Sequence, residues 1–446
     1  MGALVGLGRR TVTGMLTTTG RQFVDWSADY RVFGHGRFCV GELFSVPRRA
    51  VLENLDSEEP FVAMMDDTLI RKKGRKVSGT SWRRDPLGPP FCTNFIWGQR
   101  FLQVSAALPE GPGAARARAI PIDLAHCPSP RKPRKNASSE DWALYKLAQK
   151  QTNISRKGAE RLWHLRNELD QDNAERKLLM VADGGFTNGT VLKSMPPRTE
   201  FIGRLRKDAK LYSLPGDEAP RRGRKRAYGD RLSTPEEMRR NKSIPWQKVR
   251  AHAAGEMREF QVKSIGPVRW RSAGGGHDLR LVIIRPLGYR LTKQSPLNYR
   301  NPAYLICTDP NLPLEKVLQS YIWRWEIEVN FRDEKTLLGI GQAQVRTEKA
   351  VEFVPALLVA AYAMLLVAGH RVYKTGDKVF PKPKWRKKTP NSRMTTEQLI
   401  GLTRIELWSE DMGLDNISSF VSQVDQPQKP EKIGRHLPAA ILYATG

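Results

Sequence analysis

From Tyr321 to Lys335 the chain reads YIWRWEIEVNFRDEK. Wound as an α-helix at about 100° per residue, it places Tyr321 at 0°, Arg324 near −60°, Glu328 near −20° and Lys335 near −40°, inside an arc of about 60°. These four form a polar stripe about 21 Å long at about 1.5 Å rise per residue. The apolar residues Ile327, Phe331 and Leu338 fall on the adjoining flank, so the helix can pack by one side and present the stripe beside the core. Glu326 and Asp333 are expected to point to solvent, and Glu334 lies beyond the apolar flank. Glu328 is therefore the helical carboxylate best placed to meet acids from elsewhere, bracketed by Arg324 and Lys335 with charge suited to phosphates. A surface helix with ordinary ion pairs would show a similar pattern.

Two upstream segments supply such acids. FVAMM, from Phe61 to Met65, is a short apolar run that ends in Asp66-Asp67-Thr68, and KLLMVA, from Lys177 to Ala182, ends in Asp183-Gly184-Gly185. Their lengths and abrupt ends fit buried strands. The carboxyl ends of adjacent strands are where functional side chains gather in an α/β sheet. Either aspartate alone would pass as a turn residue. Two carboxylates brought together repel unless a cation bridges them. Mg²⁺ is hard and favours oxygen ligands, and a pair of such ions about 4 Å apart can activate a nucleophile and stabilise the leaving oxygen of a phosphodiester. Of the first pair, alternation along the strand favours Asp66 over Asp67; Asp67 remains the alternative.

Outward from these segments, Phe91 to Trp97 and Arg100 to Leu108 read as two further strands. Residues 110–138 read as an exposed crossover, and Asp141 to Glu175 as one or two helices. A helix near Thr187 to Ser194 and a strand from Phe201 to Arg206 follow. The expected division is 1–55, helical and DNA-binding, with Arg9 and Arg10 at its front; 56–206, the first part of the core; 207–308, a β-rich insertion; 309–372, the last core helices; and 373–446, a basic linker and tail. The fold class expected is α/β: a mixed sheet flanked by helices, similar to RNase H, with the insertion before the last catalytic helix. Phe353 to Gly369 is apolar for 17 residues, short of the roughly 20 a membrane span needs, and reads as a buried core helix.

Lys and Arg total 74 against 46 Asp and Glu over 446 residues, a net charge of +28. A fold gains nothing from that excess, whereas a polyanion does: phosphate neutralisation releases counterions. Nucleic acid is the favoured partner over an anionic membrane surface. The clusters Arg71 to Lys76 (holding Lys72 and Lys73), Arg221 to Arg226 (holding Arg222 and Arg224) and Lys382 to Lys388 are candidate phosphate contacts. The four cysteines, Cys39, Cys92, Cys127 and Cys307, have neither disulfide-framework nor zinc-finger spacing, and the N-terminal stretch makes a poor signal peptide. A reducing cytoplasm, in contact with the bacterial nucleoid, is the expected location.

Tyr321, Arg324, Glu328 and Lys335 match the Y-x2-R-x3-E-x6-K signature, so the chain resembles the insertion-sequence-four superfamily of DDE transposases. Within it, the chain looks like the insertion-sequence-701-type branch, whose DDT-x-x-x-K-x-G motif is met here by Asp66 to Thr68, Lys72 and Gly74. The resemblance implies an RNase H-like fold and a catalytic, metal-binding trio of Asp66, Asp183 and Glu328. It implies Mg²⁺ or Mn²⁺, two ions, as cofactor. It also implies cleavage at transposon terminal inverted repeats, strand transfer to target DNA, and a dimer bridging two ends. Tyr321, Arg324 and Lys335 would hold the DNA end, and Trp325 would contact a base or, equally, pack. The competing reading is a catalytically inactive, transposase-derived DNA-binding protein or repressor.

Overall fold

The computed structural model describes residues 1–408 apart from 22, 35–38, 87, 90, 173–174, 217–225, 293 and 374–392. Four helices open the chain: α1 (Gly2–Val5), α2 (Val12–Thr18), α3 (Ser27–Gly34) and α4 (Glu42–Glu53). Four strands follow: β1 (Phe61–Arg71), β2 (Ser81–Arg84), β3 (Phe95–Pro109) and β4 (Ala117–His126). Then come α5 (Ser139–Gln151), α6 (Ile154–Gln171), β5 (Leu178–Ala182), α7 (Gly189–Leu192), β6 (Thr199–Arg204) and α8 (Pro235–Arg240). β7 (Gln247–Ala253), β8 (Glu256–Val268), β9 (Leu279–Ile284), the small pair β10 (Gly288–Tyr289) and β11 (Asn298–Tyr299), and β12 (Ala303–Cys307) complete the strands. The chain continues through α9 (Leu314–Trp323), α10 (Trp325–Thr336), α11 (Glu348–Tyr373) and α12 (Thr396–Trp408).

β4, β3 and β1 run antiparallel to their neighbours, and β1, β5 and β6 are parallel. That five-strand arrangement with helices on both faces is an RNase H-like core. The sheet does not stop there. β12 pairs antiparallel with β6, and β9, β8 and β7 extend it further, giving ten strands in one sheet. Strands from the 207–308 stretch thus share the sheet that carries the two aspartates.

Each face of the sheet closes its own core. On β1, Phe61, Ala63 and Met65 face a cluster built with α4, α6 and α11, while Val62 and Met64 face a second cluster built with α9 and α10. β5 divides the same way: Leu178, Met180 and Ala182 against Leu179 and Val181. Both strands are buried on two sides, hence their unbroken apolar runs. α11 lies inside the first cluster, and its most apolar 18-residue window is 78% buried. That burial accounts for the apolar stretch beginning at Phe353 without a bilayer.

Several local expectations are corrected. Phe91 to Trp97 and Arg100 to Leu108 are not two strands: β3 is continuous from Phe95 to Pro109, and Gln99, between the two expected segments, is buried and donates to Ser78 O at 2.7 Å. Residues 110–138 are not wholly exposed, since they contain β4, in which only His126 escapes full burial. Its charges hid it from a hydropathy reading: Asp123 is buried yet held by Arg161 through two bonds of 2.6 Å, and buried charges persist when paired. Arg10 does not face outward from an N-terminal DNA-reading helix. It is 3% exposed and donates to Ala3 O and Leu337 O.

Candidate active site

β1 and β5 stay in parallel register to Met65↔Ala182. The next residue in each chain segment is an aspartate, so Asp66 and Asp183 lie side by side where the β1–β5 pairing stops; β5 ends there, whereas β1, expected to end at Asp66, runs on to Arg71 paired with β3. Side chains alternate, and both belong to the face carrying Val62, Met64, Leu179 and Val181, the face covered by α9 and α10. Asp67 turns to the opposite face, where its Oδ2 accepts from Arg100 Nε at 2.7 Å.

Each aspartate is held by a backbone amide close to it in sequence. Asp66 Oδ1 accepts from Asp67 N at 2.8 Å, and Asp183 Oδ1 accepts from Gly185 N at 2.8 Å. Thr187 Oγ1 donates to Asp183 O, tightening the Gly184-Gly185-Phe186 turn. Phe186 is buried, and a Cβ at Gly158 of α6 would come within 2.8 Å of its ring and 3.3 Å of Met65 Cε. Only glycine lets α6 approach the two aspartate-bearing segments this closely.

α9 and α10 do not form one uninterrupted helix. They meet at Arg324, whose φ of −50° and ψ of −32° are still helical, so the stripe survives the junction. Asn330 Nδ2 pins α10 to the sheet through Ser105 Oγ at 3.3 Å and Ala119 O at 3.1 Å. Arg324 is 9% exposed. Its Nη1 donates to Asp66 Oδ2 and its Nη2 to Glu328 Oε1, both at 3.2 Å. Its guanidinium lies 5.9 Å from the ring centroids of Tyr321 and of Trp325. Glu328 is thus drawn to the aspartates across one arginine.

The electrostatics follow from burial and crowding. Burial first, then the neighbouring Asp183, pushes the Asp66 carboxyl up to about 7, against the opposing pull of Arg324. Burial works against the charged form of Arg324, but Tyr321, Asp66, Glu328 and Asp183 outweigh it and raise its pKa. Three carboxyl groups thus share one guanidinium, and Asp66 holds its proton more readily than a solvated aspartate. Hard oxygen donors in a site short of positive charge fit a divalent cation. Among the described residues, however, no three acidic, histidine or cysteine side chains are already set for a metal. With Arg324 standing between Asp66 and Glu328, a full ligand set requires that guanidinium to give way.

Other residues singled out by sequence separate into groups. Tyr321 is half-buried, and Trp325 is 59% exposed rather than packed. Lys335 is exposed, with its ammonium 5.9 Å from the Phe331 ring, and Lys73 is exposed. Lys72 is corrected: it is 7% exposed, and its Nζ donates to Gly341 O at 3.1 Å and Ala343 O at 3.0 Å. It ties the end of β1 to the turn after α10 and cannot reach a phosphate from there. Arg222 and Arg224, and the Lys382 to Lys388 cluster, lie outside the described residues. Asp333 is corrected as well: it is buried, and its Oδ2 accepts from Thr396 Oγ1 at 2.6 Å. Glu326 is half-buried and paired with Arg393.

Sequence reasoning missed Glu334. It is fully buried beside the Gln103 side chain. Burial pushes it up to about 8; Gln103 and Lys335 oppose the shift, and Asp333 adds to it. Its position past the apolar flank was the available signal, since α10 is enclosed from that side too.

A family model described as "DDE superfamily endonuclease" matches residues 1–274 of the 446, a span holding both aspartates and ending before Glu328. No curated protein matches the chain.

Proposed function

The chain belongs to the DDE superfamily of endonucleases, and on that premise we propose that it is a transposase of the insertion-sequence-four type, insertion-sequence-701-like branch, that cuts transposon ends and joins them to target DNA. One observation carries this reading. Asp66 and Asp183 follow the last paired residues of two adjacent parallel strands, and Glu328 is bonded to the same guanidinium as Asp66.

In this reading Asp66, Asp183 and Glu328 hold Mg²⁺ or Mn²⁺. Bound there, the ions supply Lewis-acid activation of the attacking oxygen and stabilise the leaving one. The chain's own residues do the rest. The Asp67 and Gly185 amides orient the two aspartates, and Asn330 fixes the helix that brings Glu328. Arg324 holds Asp66 and Glu328 together, and its guanidinium is suited to bind a phosphate of the DNA. Lys335 lies seven residues beyond Glu328, about 10 Å along the helix, so it would reach a different phosphate. Exposed Trp325 is free to meet a base. Terminal inverted repeats and target DNA are the substrates, and two protomers would bridge two ends.

The test incubates the purified protein with labelled end DNA, target plasmid and Mg²⁺. Nicked ends and joined products are expected from the wild type, and neither from Glu328→Gln. Cleavage without joined products would mark a nuclease rather than a transposase. Retained binding with no cleavage by the wild type would point to the repressor reading.

A further inference from the structure

On the other face of β1 from the carboxylates lies a groove of about 1460 Å³ between the β2–β3 ribbon and helix α5. Eight lysines and arginines line it, among them Arg83, Arg100, Arg131 and Lys146, and no aspartate or glutamate does among the described residues. Burial first, then the neighbouring Arg100, disfavours the charged form of Arg83, and Arg83 Nε is buried without a hydrogen-bond partner among the described residues. The N-terminal end of α6, an 18-residue helix, opens on the groove through Asn153 and Ile154, adding the positive end of its dipole. Such a surface is arranged for an anion.

Its aromatic content narrows the choice of anion. Trp82 faces Trp97 across the β2–β3 ladder, with ring centroids 5.5 Å apart, edge to face. Trp82 is 62% exposed. The opposite wall, α5, buries none of its 13 residues, so it stands off the core and gains little from its position unless something fills the gap. A platform of exposed indole flanked by cations binds unpaired nucleotides, since every base presents a π face. A regular duplex keeps its bases stacked away from such a platform.

We propose that this groove holds a single-stranded DNA segment, with a base stacked on Trp82 and phosphates on Arg100, Arg131, Lys146 and Lys150. The proposal rests on the DNA-cutting reading for its ligand but not for its test. Arg100 lines the groove and also holds Asp67, the neighbour of Asp66.

The experiment measures anisotropy of labelled 15-nucleotide oligo(dT), an abasic oligomer of the same length and a hairpin duplex, with the full chain in EDTA. Trp82→Ala is expected to weaken oligo(dT) about tenfold, in line with the loss of one stacked base, and to leave the abasic oligomer and the duplex within about twofold. Lys146→Ala with Lys150→Ala should reduce the log–log salt slope for oligo(dT) by about 1.4, from about 0.7 per phosphate contact on single strands. Both lysines are exposed on α5, and matching thermal melts establish that the variants fold. Equal losses for oligo(dT) and duplex, or no loss for oligo(dT), would overturn the proposal. Because no metal is present, its failure leaves cleavage untouched, and failed cleavage leaves this binding result standing.

Discussion

Glu334 gives the sharpest quantitative expectation. Its carboxyl is pushed up to about 8 in the folded protein against about 4.3 for a solvated glutamate. A raised folded value means a contribution that is complete below the unfolded pKa and lost as pH rises through the folded one, because the unfolded chain then releases a proton that the native state keeps. The slope is about 1.4 kcal/mol per pH unit. Between pH 5 and pH 7.5 the wild type should therefore lose about 3 kcal/mol of stability at this site. Glu334→Gln cannot ionise, and its amide meets the same Gln103 side chain. An amide hydrogen costs about 1–3 kcal/mol if unmet, but that offset is independent of pH. Urea denaturation of both proteins at pH 5 and pH 7.5 isolates the effect: the variant should gain about 3 kcal/mol on the wild type across that interval. A difference that does not change with pH would refute the claim that Glu334 is folded in its neutral form. Asp333 and Lys335, its charged neighbours in the helix, remain in both proteins and cancel in the comparison.

Asp183→Ala and Glu328→Ala should each abolish cleavage while end-DNA affinity, measured by gel shift without metal, changes less than about threefold, since phosphate contacts dominate affinity. Lys335→Ala should lower the log–log salt slope of end binding by about one; an unchanged slope removes it from the phosphate contacts. Lys72→Ala should leave that slope alone and instead lower stability by about 2 kcal/mol or more, because two buried carbonyls lose their donor. A changed slope with unchanged stability would return Lys72 to the DNA surface.

The first half of β1 and the whole of β5 were legible because each is an apolar run followed at once by an aspartate, whereas the rest of β1, to Arg71, is too polar to read as buried strand. The stripe from Tyr321 to Lys335 was readable because helical spacing is a local property. What escaped reading is what depends on partners. β4 looked like a charged connection because Arg161, which covers Asp123, lies 38 residues away. Lys72 looked like a phosphate ligand within a basic run, and only the turn at Gly341 to Ala343, some 270 residues on, turns it inward. Asp333 and Glu334 were assigned positions by angle around one helix. Angle does not say how many sides of that helix are covered, and here α11 and α12 enclose the flank expected to be wet, with Tyr362 and Thr396 bonded to Asp333. The intervention of Arg324 between Asp66 and Glu328 could not be seen from spacing alone.

The two aspartates sit in neighbouring strands, but Glu328 is encoded about 145 residues after Asp183. At a synthesis rate of roughly 5–20 residues per second, the ribosome needs about 7 to 30 seconds to cover that distance. Throughout that interval β1 and β5 have been made while α10, which carries Glu328 and closes the second core cluster, has not. Under the proposed function, a chain released early would therefore lack both the third acid and the helix that covers that face of the sheet.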